Sequence, residues 1–189
     1  KPGFGVVWEF FAGAAVWSSA HAAEGWGYIL PVDLKNDAQH DLLNQFFLEK
    51  CMRVLATGRI HICHFGTPRD SMSRAIVPPW RSDEHPEGMP VLSRPVRAKV
   101  LHGNKLSIVT GKLIEYCDSL DMAVSDESPE TSFHWRLPCI ADLYGKALRD
   151  VAKTIDVKTL RAQGVWVWIN TVCGCGSTLR AQGVWVWIG

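Results

Sequence analysis

The sequence predicts an α/β protein: one domain built on a doubly wound, mostly parallel sheet with helices on both faces. Three observations carry this. Apolar runs of strand length near 4–11, 27–32, 59–65 and 121–125 alternate with segments of helical spacing, the pattern of parallel strands joined by crossover helices. The first run leaves through a turn of small residues, Ala12-Gly13-Ala14-Ala15, into a helix. Such a turn holds a nucleotide-type cofactor, because missing side chains let backbone amides at the helix start approach a ligand closely. Asp33 follows Gly13 by twenty residues and closes the second apolar run, Tyr28-Ile-Leu-Pro-Val. A carboxylate at the tip of the second strand is placed to accept hydrogen bonds from ribose hydroxyls. The competing reading is a plain strand-turn-helix whose aspartate caps a loop.

The remaining elements follow in order. Val16 to Glu24 suits a first helix, ended by Gly25. The polar cluster from Asn36 to Asp41 introduces a second helix over Leu42 to Leu55, with a stop at Gly58. Arg59 to Phe65 returns to strand. Alternation there puts Ile62 and His64 on one face and His61 and Cys63 on the other, so His61-Ile-Cys-His64 cannot converge on one ion without a bulge, and no metal site is expected. From Gly66 to Arg97 the chain is irregular and rich in Pro, Arg and Ser. Met72, Trp80, Met89 and Leu92 anchor it as an ordered loop over the sheet's carboxyl edge. Lys99 to Leu120 is helical in pattern, Met122 to Val124 a short strand, Ser125 to Trp135 a loop, and Pro138 to Lys153 a last helix, with strand over part of it as the alternative.

At 189 residues the chain suits a single unit, and a net charge of +1 argues against a globally basic nucleic-acid coat. Between Arg69 and Lys112, however, eight basic residues face four acids. Arg74 and Arg81 are the candidate nucleic-acid contacts of that stretch, set against the alternative of an ordinary solvated loop. Cys51, Cys63, Cys117 and Cys139 read as buried thiols of an intracellular protein, nuclear or cytoplasmic. No run approaches a bilayer span, and Glu9 inside the first apolar stretch opposes a signal peptide. The start at Lys1 suggests a trimmed or partial product.

The segment 158–189 stands apart from the domain expected over 1–157. Thr159-Leu-Arg-Ala-Gln-Gly-Val-Trp-Val-Trp-Ile169 recurs unchanged as Thr178 to Ile188. As a strand, each copy puts Val and Ile on one face and Trp on the other. Perfect identity points to a recent duplication or a gene-model accident, with a stacking platform for bases or sugars as the functional alternative. At least one copy should form an edge strand or lie loosely on the surface, with tryptophan exposed. Cys173-Gly-Cys175 offers at most two ligands and is a weak metal site.

Four motifs in order carry a family resemblance: Phe11-Ala12-Gly13-Ala14-Ala15, Asp33 with Asp41-Leu42, Gly66-Thr-Pro68-Arg69-Asp70-Ser-Met-Ser73, and Glu127-Ser128-Pro129. Over roughly residues 4–140 the chain resembles the catalytic core of class I S-adenosylmethionine-dependent methyltransferases and is most similar to the DNA (cytosine-5) methyltransferases. The resemblance implies a Rossmann-like methyltransferase fold. It implies S-adenosylmethionine held by Phe11, Ala12, Gly13, Ala15, Asp33 and Asp41, with DNA as the partner. Ala15 stands where the family has the last glycine of the turn. In that family a cysteine thiolate after the loop proline adds to carbon 6 of a flipped-out cytosine, while a glutamate bonds the ring's polar edge. Pro68 and Glu127 match that pattern, but the cysteine position is Arg69. A guanidinium stays protonated and is no nucleophile. The expectation is a cofactor-binding protein without cytosine-5 methylation. The alternatives are a non-catalytic nucleic-acid-binding module and a degenerate mobile-element fragment.

Overall fold

A computed structural model of the chain describes residues 5–143, together with the backbone of two short strands at 165–168 and 185–188. Four strands, β1 (Val6–Phe10), β2 (Gly27–Tyr28), β3 (Ile62–Phe65) and β4 (Ala123–Asp126), form a sheet in the order β2-β1-β3-β4. Every pairing in it is parallel, so the chain is an α/β fold. The crossovers carry α1 (Val16–Ala23), α2 (Gln45–Leu55) and α3 (Arg94–Ser119).

Strand alternation sorts the two faces. Trp8, Phe10, Cys63, Phe65 and Val124 pack with Cys51 and Leu55 of α2 and with Val109, Leu113 and Cys117 of α3 in one buried cluster. Glu9 and His64 point the other way and meet α1, through Ser18 and Trp17. Burying a Leu or Phe in such a cluster is worth about 1.5–3 kcal/mol each, which makes the α2/α3 side the main source of stability. As expected, Ile62 and His64 share a face and Cys63 lies on the other.

The strand expected from Arg59 starts at Ile62, β4 runs on to Asp126, and three further elements differ from the sequence expectation for identifiable reasons. The second strand, expected over 27–32, is two residues long and is followed by an isolated pairing of Phe10 with Val32. Pro31 is the reason. Gly27 and Ile29 donate to Gly5 O and Val7 O, and the next donor in step would be residue 31, which has no N–H. Val32 donates to Glu9 O instead, a one-residue slip just ahead of Asp33. The second helix begins at Gln45 rather than Leu42, because Asn44 Oδ1 accepts the N–H groups of Phe46 (3.0 Å) and Phe47 (3.4 Å) as an N-cap. The third helix starts earlier than expected, at Arg94. Pro95 lies in its first turn, where a missing N–H has no intrahelical partner to lose.

A 3-10 turn, Phe133–Arg136, follows β4, and a helix entered at 138 is described as far as 143. The continuation of that helix to Lys153 lies outside the described residues, as do Cys173 and Cys175. In the tail, β5 (Val165–Trp168) and β6 (Trp185–Ile188) pair antiparallel as a separate two-stranded sheet. The expected exposure of the tail tryptophans lies outside the described residues.

The turn between β1 and α1 is built from left-handed residues: φ is 57° at Phe11, 53° at Gly13 and 53° at Ala15. Ala15, the N-cap of α1, therefore holds a backbone conformation that costs an L-residue with a Cβ about 1–2 kcal/mol. Ala15→Gly should raise the unfolding free energy by about 1 kcal/mol, read as a higher urea midpoint at unchanged slope. A lower midpoint would show that Ala15 makes packing contacts outweighing its strain.

Candidate functional site

The carboxyl ends of the strands open into a cleft of about 1730 Å³. Gly13, Asp33, Pro68 and Glu127 all line it, as do Phe11, Ala12, Asp41 and Arg69. Ala15 is not among the lining residues; Val16 and Trp17 take its place.

At one end Asp33 closes the β1–α1 turn. Its Oδ2 accepts the Gly13 N–H at 2.7 Å and its Oδ1 accepts the Lys35 N–H at 2.7 Å, while Asn36 Nδ2 donates to Gly13 O at 3.1 Å. A carboxylate has about four acceptor positions, so roughly two remain for hydroxyl groups of a ligand. No atom lies within 4 Å of where a Cβ on Gly13 would stand, which leaves the turn open to the cleft.

Glu9 is the residue that sequence reasoning missed. It sits in β1, only 4% exposed, and its Oε2 accepts the Ser18 N–H of α1 at 2.8 Å. A carboxylate there complements the positive helix start. Two amides of this stretch are thus taken up within the protein, Gly13 N–H by Asp33 and Ser18 N–H by Glu9. The signal was present in the sequence as a lone charge inside an apolar strand.

Beside Glu9, whose register partner on β3 is His64, the lining is aromatic. The Trp17 ring stacks on His64 at 4.8 Å between centroids and 8° between planes, and His21 lies 3.8 Å from Trp17. His64 Nδ1 is 2.8 Å from Ser125 Oγ, and its Nε2 is 3.8 Å from Glu127 Oε2. Burial, with His21 adding repulsion, lowers the pKa of His64 to about 3, so the imidazole is neutral at physiological pH. An unfolded histidine protonates near 6.5, so between pH 6.5 and about 3 the unfolded chain binds the extra proton. Stability should fall as pH drops through that window, by up to about 1.4 kcal/mol per pH unit from this group. Chemical denaturation of wild type and His64→Gln from pH 7 to 4 checks it. Equal slopes in the two proteins would remove His64 as the cause.

The loop after β3 is fixed at its root by Thr67, whose Oγ1 lies 2.8 Å from Thr110 Oγ1 of α3. Arg69 then extends over the cleft, its NH1 3.9 Å from Glu127 Oε1, with both side chains about half exposed. The sequence-predicted catalytic positions are thus brought together, as an ion pair between the loops that follow β3 and β4.

Arg74 and Arg81, expected as nucleic-acid contacts, do not line the cleft, and their donors serve the protein itself. Arg81 is 2% exposed, and all five of its N–H groups are engaged. Nε donates to Ser71 O, NH1 to Pro86 O and Asn104 Oδ1, and NH2 to Ser71 Oγ and Val100 O. Burial lowers its pKa to about 10, which still leaves it charged at neutral pH. Arg74 donates to both Asp83 oxygens and to Thr131 O, and lies over the Phe133 ring. These are the anchors of the segment between β3 and α3, along with the buried Met72.

Behind β4, His134 bridges Asp126 Oδ2 (3.0 Å) and Ser107 Oγ (3.1 Å). The series looks like a nucleophilic triad, but Ser107 is fully buried, so it serves to tie β4 to α3. Among the described residues no group of three or more His, Cys, Asp or Glu is placed to hold a metal, and no helix is long and apolar enough to cross a membrane. No family model, curated protein or solved structure matches the chain.

Proposed function

We propose that the chain is a Rossmann-like, S-adenosylmethionine-binding protein of the methyltransferase type, related to the DNA cytosine-5 methyltransferases and without their methylation chemistry. The observation that carries this reading is the pair of carboxylates at the β1–α1 turn. Asp33 offers free acceptor positions to ribose hydroxyls beside an open glycine. Glu9 fixes a negative charge at the helix start, the place where a dinucleotide would need to rest its pyrophosphate. Two acids there favour a nucleoside carrying a cationic amino-acid group over one carrying phosphates. When bound, the cofactor would supply an electrophilic methyl group. Phe11 and Ala12 would border it and Asp41 would approach the adenine.

A drug-sized ligand occupies about 300–1000 Å³, so a cleft of about 1730 Å³ has room for a second one. We assign that space, bordered by Arg69, Trp80, Lys99 and His102, to DNA, which makes a nuclear or cytoplasmic setting the natural one. Arg74 and Arg81 act there only by holding the loop.

Titration calorimetry tests the cofactor. S-adenosylhomocysteine should bind and NAD should not. Asp33→Ala should weaken S-adenosylhomocysteine by about 1.5–3 kcal/mol, roughly ten- to a hundredfold, through loss of charge-assisted hydrogen bonds. A melting curve confirms that the variant remains folded. No heat at millimolar S-adenosylhomocysteine would reject the cofactor reading and leave a nucleic-acid-binding or relic domain.

A further inference from the structure

The repeated tail has a symmetry that its function in a single chain does not require. In the β5–β6 ladder Val167 faces Val186, Trp166 faces Trp187 and Trp168 faces Trp185. Val186 is the residue of the second copy that corresponds to Val167 of the first, and Trp187 and Trp185 correspond to Trp168 and Trp166. The antiparallel register is therefore centred on one and the same position of the repeat. An identical strand laid antiparallel against itself reproduces every residue pair about a two-fold axis, the arrangement of an isologous dimer contact.

The strands invite such pairing. Val-Trp-Val-Trp and Trp-Val-Trp-Ile contain no charge and no proline, the devices by which natural edge strands resist addition of another chain. A sheet of two strands leaves each with one edge unpaired among the described residues, and two strands alone are marginal in water. Adding the corresponding pair from another chain gives four strands. We infer that the tail is a homotypic association element, through which the chain joins a second copy of itself by edge-to-edge antiparallel pairing of β5 or β6 centred on Val167 or Val186. This is independent of what the cleft binds.

Sedimentation velocity on full-length protein over a range of concentrations tests it. Wild type should shift from monomer to species of at least twice the monomer mass as concentration rises. Val167→Pro/Val186→Pro, which interrupts both ladders, should remain monomeric with the melting transition of the domain unchanged. Val167→Lys/Val186→Lys places like charges opposite each other in every version of the register and should give the same result without proline. A wild type that stays monomeric throughout, or variants that associate as wild type does, would overturn the inference.

Discussion

Purified to exclude host enzymes, the chain should transfer no methyl group to carbon 5 of cytosine, and it should form no covalent complex with DNA carrying 5-fluorocytosine. Carbon 5 becomes nucleophilic only after a thiolate has added to carbon 6, and the loop position that would supply it holds Arg69. Its guanidinium presents donors and no available electron pair. It faces Glu127 at 3.9 Å, so in the proposed reading the carboxylate that would bond the base pairs instead with the residue at the nucleophile's position. Among the described residues no cysteine lines the cleft, and Cys63 is fully buried in the α2/α3 cluster, on the face of the sheet opposite His64. Arg69→Cys should permit weak trapping at best, because Asp70 still stands in place of the usual glutamine. Robust labelling of carbon 5 by the unmodified chain would show that the loop after β3 is misplaced as the catalytic loop.

Arg81→Leu is expected to be the most damaging single substitution outside the apolar cluster, costing about 3–5 kcal/mol. It removes five donors from a buried position and leaves the carbonyls of Ser71, Pro86 and Val100 without that partner. The space is tight as well, since a Cβ on Gly103 would stand 2.3 Å from Ser71 Oγ and 3.4 Å from Arg81 NH2. Arg81→Lys should recover only part of the loss, an ammonium having three donors and no planar fork. Urea denaturation gives the magnitude, and limited proteolysis should show new cleavage between residues 66 and 93. A loss under 1 kcal/mol, with cleavage unchanged, would mean that the loop is held by Met72 and its other contacts alone.

The framework was legible because periodicity reports burial, and burial decides strands and helices. Cys63 and Phe65 alternate with Ile62 and His64 along β3, as a strand with two covered faces demands. Element ends were less legible, since they depend on single hydrogen bonds. Asn44 caps α2 with a side-chain oxygen, Pro95 begins α3 where a proline reads at first as loop, and Pro31 breaks β2 by lacking one proton. In the site, spacing was enough to bring Gly13, Asp33, Pro68 and Glu127 to one cleft. It could not assign the polar groups among themselves. Whether Arg81 faces solvent or five protein oxygens depends on how a long irregular segment returns over α3, and no local pattern encodes that return.

The strand order has a consequence for how the protein comes into being. Val6 and His61, bonded at the start of the β1–β3 ladder, are 55 positions apart, and His64 and Ser125 across β3 and β4 are 61 apart. Every central pairing thus closes a long loop before it returns any stabilisation, which places the domain among slow folders. On the ribosome the delay is longer still. Trp8 and Phe10 emerge well before Val109, Leu113 and Cys117, which bury them and follow about a hundred positions later in the sequence. Until then the nascent chain carries an uncovered aromatic surface, and its yield in a cell depends on how well chaperones shield β1 during that interval.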